Sequence, residues 1–387
     1  MWKMMSDNAI SLTDRIVMAD FICSSPKLSQ GEMVKKFERE WSEWQGCKYS
    51  VFVNSGSSAN LLAVSAMIEQ YGHGRPWYAQ SCTWSTNVAP ILQLNGNKVG
   101  LCDADLSNFG PDLKTLETLI KGDPQHPRFF FLTHLLGFSG ISDDLISLCE
   151  ENNVTIIEDC CEATGTTFKG KKVGNFGKCS TFSFFYGHHM TTIEGGMVCT
   201  NDEETYEFLL LLRSHGLLRE LPKESQKRKI EQVPVVYPQF TFMCSGFNVR
   251  NMEMNAVLGS MQLKNIDKHI EIRNKNYHTL MENLDPDLYK TNFNTEGISS
   301  FCLPIYTKKV DINKVEKLLL SNEIEYRPCV AGNLIKHPMF KRIKHNMIHH
   351  SFSMNSDLIH NNCIYVGNHQ DVSTDNVLEL CTLLNGV

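Results

Sequence analysis

The order of its local patterns restricts what this chain can fold into more than any other feature. From Tyr49 onward, short β-prone runs alternate with stretches of helical spacing. The β-prone runs are Tyr49 to Asn54, Trp77 to Ser81, Lys98 to Cys102, Arg128 to Thr133 and Val154 to Ile157. Between them lie helical stretches: Leu61 to Glu69, a run ending near Leu94, Asp112 to Ile120, and the amphipathic Ile141 to Asn152. Consecutive parallel strands need a crossover, usually a helix, whereas antiparallel ones need only a tight turn. The pattern therefore predicts an α/β fold with a mostly parallel sheet covered by helices on both faces. Met197 to Thr200 adds a strand, and Asp202 to Ser214 a helix. Ligands of such sheets bind beyond the carboxyl ends of the strands. Gly56, Trp84, Asp159 and His188 all fall at such ends.

A shift in composition near Ile266 predicts a boundary, with a large domain over 1–265 and a smaller α+β domain over 266–387. The second part opens on a long polar helix, Ile266 to Leu284. Strands are expected at Phe301 to Tyr306, Glu325 to Arg327 and Cys363 to Val366, with helices at Ile312 to Asn322 and Asp375 to Leu384. Before the first strand, the chain reads as an extended arm followed by one helix. That helix carries Met33, Val34, Phe37, Trp41 and Trp44 at helical spacing. The lysine-rich stretch Pro222 to Val235 reads as a solvated surface loop.

Hydrophobic residues at 42% and charged residues at 21% suit a globular protein. A formal net charge of -6 offers no footprint for nucleic acid. The 14 cysteines are scattered without metal-ligand spacing. They predict no metal site and reduced thiols in a cytoplasmic protein. No apolar run is long enough to span a bilayer, and none resembles a signal peptide.

Two motifs carry chemistry. Ser55-Gly56-Ser57-Ser58-Ala59-Asn60 joins the first strand to a helix, an arrangement that presents backbone N–H groups to an anion. Serine and glycine before a helix also serve as an ordinary cap. The second motif is Cys179 to Gly196, CSTFSFFYGHHMTTIEGG. It resembles the F-S-F-x-x-x-K-x-x-x-x-x-E-G-G segment of the DegT/StrS-type sugar-nucleotide aminotransferases. In that family the lysine attaches pyridoxal 5'-phosphate (PLP). Counting back from Glu194 puts the lysine position at His188, and no lysine occurs between Lys178 and Lys223. An imidazole has no primary amine to offer, but it can move a proton near neutral pH.

The resemblance covers nearly the whole chain from about Leu28, and implies a fold type I PLP-dependent enzyme with a homodimeric active unit. It implies that Asp159, in an E-D-x-x-x-x-x-G pattern, sits against the pyridine nitrogen. Trp84 would wall the ring, and Gly56, Ser57 and Ser183 would hold the phosphate. Glu162 would also contact the cofactor, and Asn248 would reach the phosphate from the partner subunit. His215, Arg250 and Arg327 become candidates for the substrate, with Arg250 facing a glutamate carboxylate or serving only as a surface ion pair.

Within the family, a branch of sugar 3-dehydratases carries a His–His pair here. Its other matching pieces are Trp84-Ser85-Thr86, Gly246-Phe247-Asn248-Val249-Arg250, Arg327-Pro328 with Gly332-Asn333, and Val366-Gly367-Asn368-His369-Gln370. That branch implies pyridoxamine phosphate (PMP) held without a covalent bond, and a nucleotide-linked 4-keto-6-deoxy sugar losing its C3 hydroxyl. His188 would act as the proton carrier and glutamate would restore the amine. Two departures stand out: Asn54 precedes Ser55, and Gly187 replaces a bulkier residue.

Three alternatives remain at this level. One is an aminotransferase acting on a nucleotide sugar without the lysine. Another is an iron–sulfur dehydratase acting on a CDP-linked sugar, but its cysteines cluster just after the His215 position. Here Arg219 to Phe242 contains none, so no iron–sulfur cluster is expected. The third is an inactive sugar-nucleotide sensor.

Overall fold

Each β-prone run from Tyr49 to Asp159 forms a strand in the computed structural model. The structure describes residues 1–95, 99–123, 125–231, 237–342, 348–350 and 353–387. Expected strand residue Lys98 and the last part of the polar loop, 232–235, lie outside those residues. We number the strands β1 (Tyr49–Val53), β2 (Trp77–Gln80), β3 (Val99–Cys102), β4 (Arg128–Thr133), β5 (Val154–Asp159), β6 (Cys179–Ser183), β7 (Gly196–Thr200), β8 (Cys302–Tyr306), β9 (Tyr326–Pro328), β10 (Ile348–His350) and β11 (Cys363–Gly367).

The large sheet has the order β1-β7-β6-β5-β4-β2-β3-β10. Pairing is parallel from β6 through β5, β4, β2 and β3 to β10. Only β7 runs antiparallel to its neighbours β1 and β6. Strand β4, RFFFLT, is buried at every residue, as a strand covered on both faces must be. Fully burying one such phenylalanine is worth roughly 1.5–3 kcal/mol. The helix Gly56–Tyr71 starts where Ser55 Oγ accepts from the Ser58 N–H at 3.0 Å. It is apolar on most sides because it lies between the sheet and the helix Glu203–Arg213.

The small antiparallel sheet has the order β8-β11-β9. The helices Ile266–Asn283 and Thr374–Asn385 cover it, and share a core with Phe109, Leu135 and Phe138 from the loops of the large sheet. That shared core holds the two sheets in one relative position and leaves a cleft between them.

Four local expectations are corrected. Residues 12–24 form a helix, not an extended arm, because Ser11 and Asp14 make a reciprocal capping box. The helical run to Leu94 is a 3-10 turn, Ser85–Asn87, and a π-helical turn, Ile91–Asn95. Pro90 lies between them and has no N–H to continue a regular helix. Lys223–Ile230 is a helix within the supposed polar loop. The strand β10 and the helix Met354–Asn362 had no counterpart in the sequence reading.

Candidate active site

The cleft contains a cavity of about 200 Å³ at the carboxyl ends of the large-sheet strands. Gly56, Ser57, Trp84, Asp159, Glu162, Ser183, His188 and Arg327 all line it. They come from five separate stretches of chain; the crossovers of the large sheet bring the first four together, and the small sheet adds Arg327.

Asp159 closes β5 and is buried. Its Oδ2 accepts from Asn60 Nδ2 at 3.0 Å and Asn87 Nδ2 at 2.8 Å, and its Oδ1 from the Cys161 N–H at 2.8 Å. Three donors satisfy the carboxylate oxygens and fix its plane. The sequence reading did not single out Asn60 or Asn87. Asn60 had a signal, because it lies one helical turn after Gly56 and so shares its face. Asn87 had none, since an irregular turn has no period.

Gly56 and Ser183 define a narrow floor. A Cβ on Gly56 would lie 2.6 Å from Ser183 Cβ and 3.2 Å from Cys161 Sγ. Only a glycine lets the first turn of the Gly56–Tyr71 helix approach the end of β6 so closely. The exposed N–H end of that helix is suited to a phosphate.

His188 and His189 point apart. His188 lines the cavity, with its ring 5.3 Å from that of Phe301. Its Nδ1 is buried and has no hydrogen-bond partner. Burial pushes its pKa down to about 4, partly offset by a backbone hydrogen bond with Cys161 and by the Asp159 charge. The imidazole is thus neutral at pH 7, with a free nitrogen. His189 instead turns to the Ser299 carbonyl and hydroxyl, both at 3.1 Å from Nε2. Arg273 holds the loop by donating to the backbone carbonyls of His188 at 3.1 Å and Phe301 at 2.8 Å.

Glu162 accepts from the Leu136 N–H at 2.9 Å. Burial, together with the nearby Asp159 charge, raises its carboxyl to about 7. Trp84 leaves 51% of its surface uncovered at the cavity mouth, unlike the fully buried core tryptophans Trp41 and Trp77. Arg327, on β9, brings a cation to the same wall. Met4, Met5, Phe301 and Tyr365 also line the cavity and were missed. Their signal is absent from the sequence, because each comes from a remote segment.

Three expected residues lie elsewhere. Asn248 and His215 are exposed and line none of the described pockets. Arg250 lines a separate open groove of about 1080 Å³, together with Arg39, Arg213 and Arg219. That groove is the larger of the two, but its charges are spread over an open face. The smaller cavity has the convergent buried polar groups that a ligand site needs.

The cavity residues fit a PLP-type cofactor on three observations: a floor that one Cβ would fill, a carboxylate fixed by three donors, and an orphaned buried imidazole nitrogen. Sheet order and cleft together define a protein of the fold type I, PLP-dependent aminotransferase class. The chain belongs to the DegT/DnrJ/EryC1/StrS aminotransferase family, whose pattern matches residues 13–385. It is 32% identical over 357 residues to the GDP-4-keto-6-deoxy-D-mannose 3-dehydratase of Escherichia coli O55:H7, covering 90% of this chain and 91% of that one. The corresponding protein of Yersinia pseudotuberculosis is 33% identical over 372 residues, 94% of this chain and 93% of its own. A solved E. coli GDP-4-keto-6-deoxy-D-mannose-3-dehydratase with bound hydrated PLP superimposes with a TM-score of 0.89 at 30% identity, covering 99% of both chains. A His-to-Asn variant of such an enzyme with bound GDP-perosamine gives 0.90 at 30% identity, over 99% of this chain and 100% of the other.

Proposed function

We propose that this protein removes the C3 hydroxyl of a nucleotide-linked 4-keto-6-deoxy sugar, GDP-4-keto-6-deoxymannose, using PLP and PMP, with glutamate restoring the amine form. One observation carries the reading. The position expected for the cofactor lysine is His188, whose unpartnered Nδ1 belongs to a residue lining the cavity, and no lysine lines that cavity among the described residues. The similarity to two 3-dehydratases over at least nine-tenths of the chain supports it.

When bound, the cofactor supplies an amine for the sugar's keto group and a ring that accepts electrons. Asp159 is assigned to hold a proton on the ring nitrogen. Gly56, Ser57 and Ser183 are assigned to the phosphate, Trp84 to the ring face and Glu162 to the ring's edge. His188 is the acid–base group: its neutral Nδ1 takes up a proton and delivers it to the hydroxyl leaving C3. Lacking a primary amine, it does not compete for the cofactor's carbonyl carbon. Arg327 orients the sugar nucleotide in the same cavity.

Asn248, His215 and Arg250 are assigned to the neighbouring site of a homodimer, since none of them lines the cavity of its own chain. We place the cofactor-binding unit at 1–265 and the smaller unit at 266–387, with β10 crossing back to the large sheet. Unpaired cysteines, mostly buried, fit the cytoplasm. A role in making colitose follows from the proposed substrate.

Mass spectrometry of products from purified protein, PLP, glutamate and GDP-4-keto-6-deoxymannose tests the reading. A sugar lacking one oxygen and gaining no nitrogen is expected, with ammonia and 2-oxoglutarate. An amino sugar would identify an aminotransferase instead.

A further inference from the structure

The N-terminal residues form a strap along the wall of the cavity, which Met4 and Met5 line. The Trp2 N–H donates to the Glu323 carbonyl and the Glu325 N–H to the Trp2 carbonyl, both at 2.9 Å. Trp2 Nε1 donates to the Gly367 carbonyl at 2.9 Å, and the Met4 N–H to Glu325 Oε2 at 2.8 Å. Ser6 Oγ bonds to Asp371. A Cβ on Gly367 would lie 2.3 Å from the Lys3 carbonyl oxygen, so this glycine is what lets the strap lie flat on β11. Both ends of the segment are thus tied to the strands of the small sheet or the loops beside them, with Met4 and Met5 between them lining the cavity.

Met5 meets the site beside His188. A Cβ on Gly187 would lie 3.1 Å from Met5 Sδ and 3.3 Å from its Cγ. The absent side chain at Gly187 leaves the space that the thioether uses. Phe185 and Phe301 flank the same histidine, with ring centroids 6.3 and 5.3 Å from its own. Polar groups also line the cavity, among them Asn60, Thr86, Asp159, Glu162, Ser183 and Arg327, but Met5, Phe185 and Phe301 are the side chains grouped around the histidine. Thus the wall next to the proton carrier is apolar. A 4-keto-6-deoxy sugar has one apolar substituent, the C6 methyl, on the carbon adjacent to the keto carbon.

We propose that Met5, held by the strap, is a specificity-determining residue that seats the sugar's C6 methyl and disfavours a 6-hydroxymethyl group. The inference rests on the dehydratase reading above. A hydroxyl placed against a thioether and two phenyl rings gives up its water without gaining a partner. A contact of this size is worth about tenfold or more in discrimination.

The test compares kcat/KM for GDP-4-keto-6-deoxymannose and for its 6-hydroxylated counterpart. In Met5→Ser the preference for the 6-deoxy sugar should fall about tenfold, because space and a hydroxyl replace the thioether. Met5→Leu should keep it. Gly187→Ala, which presses on Sδ without altering Met5, should also change the ratio. A merely structural role would lower both substrates by one factor. Equal loss on both sugars in Met5→Ser, or no loss on either, overturns the inference and leaves the dehydratase reading standing. Failure of the native protein to dehydrate either sugar overturns both.

Discussion

At the scale of single residues, the proposed chemistry turns on His188. Its neighbours leave Nδ1 free and keep the ring neutral, which suits a base and not a tether. His188→Lys should restore covalent attachment: intact-mass analysis after borohydride reduction should then show the protein heavier by one cofactor, and dehydration should fall below detection. Normal dehydration by that variant would remove His188 from its assigned role. Glu162 and His188 also set opposite pH dependences in the cofactor-free protein. The His188 pKa is depressed from 6.5 to about 4, so its contribution to stability is present above pH 6.5 and is lost as pH falls toward 4. The Glu162 pKa is raised from 4.5 to about 7, so its contribution is present below pH 4.5 and is lost as pH rises through 7. The two slopes oppose each other over the shared window. Glu162→Gln should therefore raise the melting temperature by a few degrees at pH 8 and give little gain at pH 5. Calorimetry at the two pH values checks this, and an equal gain at both would contradict the Glu162 assignment.

At the scale of elements, the Gly56–Tyr71 helix and the end of β6 approach so closely that a methyl group is too much. Gly56→Ala should either displace Ser183 or tilt the helix start, since its Cβ would lie 2.6 Å from Ser183 Cβ. Cofactor affinity, read by quenching of tryptophan fluorescence, should weaken by about 100-fold, comparable to losing one or two charge-assisted hydrogen bonds. Unchanged affinity would remove this turn from the phosphate site. The alternation of patterns made this strand–turn–helix unit legible, because strand, cap and helix are consecutive in sequence. The turns between Trp84 and Asn95 were less legible: Pro90 breaks the helical period, yet Asn87 still reaches Asp159 from within them.

The whole molecule raises the question of which chain completes which site. Asn248, His215 and Arg250 do not line the cavity of their own chain, although Arg250 pairs with Val53 at the end of β1. If Asn248 serves the partner, mixing two inactive variants, His188→Asn and Asn248→Ala, should recover up to about a quarter of native activity through hybrid dimers with one intact site. No recovery on refolding or subunit exchange would place Asn248 in its own chain's site. Within one chain, the sequence determined the parallel α/β order and the strand-end positions of Gly56 and Asp159, and its resemblance to the family marked His188 as standing where a lysine is expected. Those properties depend on local periodicity and on consecutive residues. Tertiary structure decided the rest. It turned His188 into the cavity and His189 toward Ser299, aimed Asn60 and Asn87 at one carboxylate, and carried Met5 across the chain to Gly187. The physical reason is separation: these contacts join residues far apart in the chain, so the crossovers of the large sheet bring Asn60 and Asn87 to Asp159, and packing of the small sheet's segments against it brings Ser299 to His189 and Met5 to Gly187.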